Sequence, residues 1–416
     1  MKLRCSCHLL LALIVFSAQL SIGQSAPTKA DATWKWSISG FLKSDYWYDT
    51  YKVLGARDNL LAFFPIRPEY SGTGLDMSSR STFNFSMITS RITGKLKAPD
   101  AFGAKTTGVI EADFSGLSNS DINGFRLRHS YIELQWERST LLLGQYWHPL
   151  FVPDVFPNVL ALNTGAPFQP FIRSPQISFS YHIGGWRLMA SALSQLDYTS
   201  EGPVGRSSAY IRDAGIPNMH VQGQFRYQKV LFGVAVDYKT ILPQEDLIDP
   251  TQSEMLSTLA YMIYGSMEIR GLKLKSKVIL GDNLTEHLML GGYYAQRDPI
   301  SGQYHSYRPT RHINTWLTLG KNFKNLEFST FFGYSKKLHG RSAMEEVEFG
   351  RGLDIDHCIR IAPLFGLSSG NLRFYLEGEY TMAAYEDYSN TDGLFMTHVR
   401  EKPGNLRIQA SGLLVF

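Results

Sequence analysis

Gly404-Asn-Leu-Arg-Ile-Gln-Ala-Ser-Gly-Leu-Leu-Val-Phe416 sets Leu406, Ile408, Ala410, Gly412, Leu414 and Phe416 on one side of an extended chain. Asn405, Arg407, Gln409 and Ser411 take the other side, because successive strand side chains point to opposite faces. The same two-sided alternation recurs at Trp36–Phe41, Thr82–Met87, Arg91–Lys97, Gln222–Tyr227, Phe232–Tyr238 and Leu372–Tyr380. No helical period competes with it. Aromatic residues make up 13% of the chain, with 22 Tyr and 25 Phe, yet the mean hydropathy is only −0.15. Beyond the first 23 residues no apolar run approaches the roughly 20 residues of a helical span, which excludes helical membrane crossing. The other structure that satisfies its backbone in lipid is the closed β-barrel. Short alternating segments rich in aromatics and separated by turns are its mark.

Residues 1–23 carry Lys2 and Arg4, then an apolar run from Leu9 to Phe16 and small residues at Ser21 and Gly23. This is the layout of a secretory signal cleaved after Gly23. A short segment, 24–33, then leads into a single barrel domain, 34–416. Removing two bases lowers the formal charge from +4 to +2, so no strongly acidic or basic partner is implied. Of three cysteines only Cys358 remains, which leaves no intramolecular disulfide to staple an exported fold.

The connectors alternate in length. Short ones fall at Ala98–Gly103, Glu137–Ser139, Gly184-Gly185, Gln228-Lys229, Arg270-Gly271, Asn322–Asn325 and Leu367–Asn371. Long ones fall near 51–79, 115–124, 148–174, 197–214, 240–255, 282–308, 337–352 and 385–404. Seven turns and eight loops require sixteen antiparallel strands, with the long loops extracellular. Leu288–Tyr294 looks like a strand but breaks the alternation. It reads as structure within the sixth loop, with eighteen strands as the other count. Sixteen strands enclose an aqueous lumen rather than a filled core.

Inward side chains then meet water, whereas a charge facing mid-membrane lipid costs about 2–4 kcal/mol. That sorts Glu111 and Asp113 inward, together with Arg126 and Arg128, and after them Tyr131 and Glu133. The phase slips near His129, which implies a bulge. Arg80 and Arg91 both face inward only with a second slip near Met87-Ile88. Arg80, Arg91, Arg126 and Arg128 thus share a wall with Glu111 and Asp113. Such a wall reads either as a transverse field that sorts ions or as salt-bridged lining that only solvates the lumen.

The third long loop, His148–Ser174, is apolar, holds five prolines, and has Asp154 and Arg173 as its formal charges. Irregular backbone is excluded from lipid but packs inside a lumen. The loop is expected to fold into the barrel and narrow it; packing at the rim or on a neighbouring subunit is the other reading.

Phe125-Arg-Leu-Arg-His-Ser-Tyr-Ile-Glu-Leu134, Leu141-Leu-Leu-Gly-Gln-Tyr-Trp147 and the Pro/Phe loop after them resemble the DcaP-like and related trimeric porins. The resemblance is sharpest over about 80–150 and at the final strand. It implies a sixteen-stranded outer-membrane channel of Gram-negative bacteria, constricted by its third loop. It further implies a homotrimer and passive uptake of small hydrophilic solutes or ions, with no cofactor. By carry-over, Arg126, Arg128 and Asp154 lie near the constriction. Some related porins prefer anions through arginine and lysine ladders, but here Glu111, Asp113 and Glu133 share the wall and hold any such preference to a mild one. The pattern ending at Phe416 resembles the assembly signal of outer-membrane barrels.

Enzymatic signals are poor. Gly366-Leu-Ser-Ser-Gly370 fits G-x-S-x-G, but strands flank it on both sides where a nucleophile elbow needs a following helix. Asp354-Ile-Asp-His357 reads as a solvated strand start rather than a metal site. His182 and His312 cannot be paired with catalytic partners from sequence. A barrel enzyme, receptor or adhesin stands as the alternative to a channel.

Overall fold

The two-sided pattern folds as it must if one face meets lipid. The computed structural model describes residues 33–246, 249, 252–340, 346–391 and 394–416, with the backbone alone for 388–391 and 394–397. The segments expected as signal and lead-in, up to residue 32, lie outside the described residues. The strands are β1 (Lys35–Asp49), β2 (Thr82–Ser86 and Arg91–Ala101), β3 (Ala104–Asp113), β4 (Arg126–Gln135), β5 (Ser139–Trp147), β6 (Arg173–Ile183), β7 (Trp186–Leu193) and β8 (Asn218–Tyr227). They continue with β9 (Val230–Ile241), β10 (Leu256–Ile269), β11 (Leu272–Asp282), β12 (Arg311–Phe323), β13 (Leu326–His339), β14 (Ile355–Ser369), β15 (Leu372–Thr391) and β16 (Leu394–Glu401 and Gly404–Val415). The main sheet has 18 segments, and two of them merely continue β2 and β16, which leaves 18 − 2 = 16 barrel strands among the described residues. Each strand pairs antiparallel with its sequence neighbours. β1 closes on β16 from Phe41↔Val415 to Asp49↔Arg407.

Tight turns gather at one end. Phe102 and Gly103 (φ 53° and 71°) and Arg270 and Gly271 (φ 49° and 79°) adopt left-handed conformations. Consecutive residues of that kind make the type I′ turns that match the twist of adjacent strands. Trp36, Phe102, Trp186, Tyr227, Phe323 and Phe416 stand exposed around this short-turn end, as an aromatic belt. Along β16 the apolar Leu406, Ile408 and Leu414 are exposed while Arg407, Gln409 and Ser411 are buried. This is the inverse of a soluble sheet and the expected arrangement in lipid. Gly40 and Phe416 exchange two backbone hydrogen bonds, of 2.9 and 3.0 Å. Deleting Phe416 removes both bonds and one aromatic of the belt. The fraction of chain that migrates as folded barrel in unheated gel electrophoresis is expected to fall several-fold.

The lumen departs from the open, water-lined one read from sequence. Among the described residues, loops at 50–81, 148–172 and 283–310 enter it, and the fourth loop adds Tyr198. Leu61, Phe63, Phe64, Leu150, Phe168 and Leu290 form an apolar core against the inner face of β9–β15, where Met262, Ile279, Trp316, Phe331 and Ala362 wait. The third loop is therefore in the barrel, as expected, but it shares the space. Gly333 makes room for it, since a Cβ there would lie 2.6 Å from the Phe168 ring.

Charged wall residues fasten the loop backbone, whose polar groups would otherwise be orphaned. Lys277 Nζ donates to the carbonyls of Leu150 (2.8 Å) and Phe151 (2.7 Å). Arg360 donates to the carbonyls of Ala166 (2.7 Å) and Phe63 (2.6 Å). The Glu377 carboxylate accepts from the amides of Leu160 (2.8 Å) and Ala161 (3.3 Å). The strand expected inside the sixth loop is Gly291–Arg297. It pairs with Tyr304–Pro309 and Val347–Arg351 in a separate small sheet and not in the barrel.

Candidate functional site

Filling one side of the lumen leaves the wall of β2–β8 as its polar side. The bulge in β4 shapes that wall. Glu111 pairs with His129 and Ala112 with Leu127, so Arg128 is the extra residue. An extra residue lets neighbours share a face, and Arg126, Arg128 and His129 are all buried inward. The second slip lies at the break in β2 between Ser86 and Arg91.

Around Asp113 and Glu111 the arginines interlock. Arg126 donates to both Asp113 oxygens (3.2 and 3.1 Å). Arg128 donates to Asp113 (2.9 Å) and Glu111 (2.8 Å). Arg91 lies 3.6 Å from Glu111. Arg173 is wholly buried; it sits over the rings of Trp147 (5.2 Å), Phe171 (5.6 Å) and Tyr198 (5.2 Å). Its Nε and Nη1 have no hydrogen-bond partner. The fourth loop adds Asp197, 3.1 Å from Arg173 and 3.5 Å from Arg126. It also adds Tyr198, whose hydroxyl accepts from Arg126 (3.4 Å) and Arg173 (3.3 Å). Burial opposes ionisation of that phenol, but Arg173 and Arg126 outweigh it and lower the Tyr198 pKa below its ordinary value. Arg57 of the first loop joins from above; burial lowers its pKa.

Among the described residues this cluster sets five guanidinium groups (Arg57, Arg91, Arg126, Arg128, Arg173) against three carboxylates (Glu111, Asp113, Asp197), an excess of two positive charges. Two cavities flank it. The one toward the long loops, of ≈ 140 Å³, is lined by Arg57, Arg126, Asp197, Tyr198 and Phe171. The one toward the short turns, of ≈ 300 Å³, is lined by Tyr131, Glu133, Tyr146, Trp147, Asp154 and Arg187. Arg173 lines neither cavity but packs on Trp147 of one and Tyr198 of the other.

The structure brings together Arg91, Glu111, Asp113, Arg126, Arg128 and Arg173 of the residues singled out in the sequence. Tyr131 and Glu133 line the cavity on the short-turn side. Two placements need correction. Arg80 is exposed in the first loop, two positions before β2, and is not on the wall. Asp154 is not with Arg126 and Arg128; the third loop turns it toward the short-turn cavity, half exposed, 3.1 Å from Arg226. Sequence reasoning missed Arg57, Asp197 and Tyr198, which irregular loops deliver. Gly366–Gly370 spans the end of β14 and the tight turn into β15, without the helix a nucleophile elbow needs. No group of three or more His, Cys, Asp or Glu that could hold a metal occurs among the described residues.

The sequence matches no protein-family model and no curated protein. Solved structures do match. The outer membrane channel DcaP of Acinetobacter baumannii superposes with TM-score 0.63 at 14% identity, over 94% of this chain and 100% of that one. An anion-selective porin from Comamonas acidovorans gives 0.55 at 11%, over 92% and 100%. Salmonella typhi OmpF, in complex with daunomycin, gives 0.53 at 9%, over 93% and 99%.

Proposed function

We propose that this chain is an outer-membrane porin of a Gram-negative bacterium: a channel for passive diffusion of small hydrophilic solutes, with a mild preference for anions. The likeness in fold to three outer-membrane proteins supports the class. The observation that carries the preference is Arg173, fully buried against side chains of both cavities with two N–H-bearing nitrogens unpartnered in a cluster with two excess positive charges. An anion passing from one cavity to the other meets guanidinium groups that replace part of its hydration, while a cation meets repulsion. Glu111 and Asp113 remain paired with arginines and keep the field moderate. Solutes cross by diffusion and no bond is made or broken, so the chain acts as a channel and not as an enzyme.

In this reading the long loops face outward, the short turns face the periplasm, and the exposed apolar belt meets outer-membrane lipid. The protein works as a homotrimer, and the assembly machinery binds the strand ending at Phe416. The test is the folded protein in a planar bilayer. Discrete conductance steps, grouped in threes, and a reversal potential in a potassium chloride gradient displaced toward that of chloride are expected. Silence from a folded barrel would sink the channel, and a shift toward potassium would sink the anion preference.

A further inference from the structure

The cluster contains one carboxylate unlike the others. Glu111 and Asp113 sit on β3, held by ladder bonds to β2 and β4. Asp197 sits in 196–199, which belongs to no strand. Its segment is a small finger closed at the neck by one side chain. The Gln195 side-chain oxygen Oε1 accepts from the Ser200 amide (2.8 Å), and its Nε2 donates to the Ser200 hydroxyl (3.0 Å). Below the neck, the Ser194 amide donates to the carbonyl of Pro175 on β6 (2.9 Å). Leu196 at the bend is exposed, while Asp197 and Tyr198 point at Arg126 and Arg173. The side chain of aspartate ends in the same carboxylate as acetate, and it occupies the guanidinium face that a passing carboxylate needs.

We propose that Asp197 is a tethered counter-anion, displaced by each carboxylate that crosses, and that finger 195–200 thereby sets how strongly the channel selects anions. This deepens the porin reading and rests on it. While the finger is in, the cluster carries an excess of two positive charges; with the Asp197 charge removed, the excess is three. Arg126 and the Nη2 of Arg173 then lose their carboxylate partner, and a solute carboxylate takes its place.

The experiment compares wild-type channels with Asp197→Asn in planar bilayers. The chloride-to-potassium permeability ratio is expected to rise about fivefold, the equivalent of about 1 kcal/mol for one unit charge at 4 Å in water-like surroundings. In Asp197→Ala, which removes the side-chain group altogether, acetate is expected to bind the vacated arginines and shorten open times in a concentration-dependent way, while wild type is little affected. Gln195→Ala keeps the charge but opens the neck, and a ratio between wild type and Asp197→Asn is expected; this variant keeps the test alive if the Asp197 changes fail to insert. Unchanged ratios in Asp197→Asn and Gln195→Ala would overturn the tethered anion, provided Arg173→Ala shifts selectivity toward potassium. If Arg173→Ala is also without effect, the anion-selective reading itself fails.

Discussion

Arg360→Ala is expected to raise single-channel conductance by about twofold or more, because pore width controls passage and two loops lose a shared fastening. One guanidinium on β14 holds the first loop through the Phe63 carbonyl and the third loop through the Ala166 carbonyl, and on β15 it meets Thr381 at 2.8 Å and the buried Glu379 carboxylate at 3.4 Å. Hydrogen bonds to a charged group contribute about 1.5–3 kcal/mol each. Losing two or three therefore loosens both loops without touching the barrel ladder. Arg360→Lys keeps the charge but not the planar fork, so it should fasten one loop and not both, giving an intermediate conductance. The check is a conductance histogram beside a gel assay of folded barrel. A folded Arg360→Ala channel with wild-type conductance would mean that the apolar core of the loops holds them unaided.

The paired change of Arg126 and Arg128 to alanine has the largest expected effect on selectivity. It takes the cluster from five positive and three negative groups to three and three. With about 1 kcal/mol for each charge in water-like surroundings, the anion-to-cation ratio should fall by about tenfold or more. Stability should suffer too. Glu111 and Asp113 would keep their charges while losing their best partners, and breaking a buried pair from one side costs about 3–5 kcal/mol. Adding Asp113→Asn to the double variant separates the two effects. It should recover much of the lost melting temperature while returning about half of the lost anion preference, since the excess goes from zero to one positive charge against two in the wild type. A double variant with an unaltered reversal potential would place the arginines outside the conduction path.

What could be foreseen followed from local periodicity. Strand number, the alternation of turns and loops, and the slip at His129 were all legible, because lipid on one side and polar surroundings on the other leave each strand residue two choices. The inward packing of His148–Ser174 was legible too, since so apolar and proline-rich a segment has few other places to go. The filled lumen was not. Leu60–Phe64 fell within the long connector 51–79 and Leu288–Tyr294 read as structure within the sixth loop, and nothing local tells a core under a loop from a strand facing lipid. Asp154 was misplaced because a loop lacks the two-residue period that fixes direction. Asp197 and Tyr198 were missed for the same reason. They reach Arg126 and Arg173 through a bend set by Gln195 and Ser200, a contact that no spacing announces.

The seam between β1 and β16 also has a consequence in time. Asp45 and Gln409, 364 positions apart, share a 2.9 Å hydrogen bond, and contacts so distant carry the greatest loop-closure penalty and form late. Until they form, the chain is a curled sheet with two unpaired margins, each a template for a foreign strand. How much protein survives biogenesis therefore depends on how briefly those margins stay open, and the stability of the finished cylinder arrives too late to decide it.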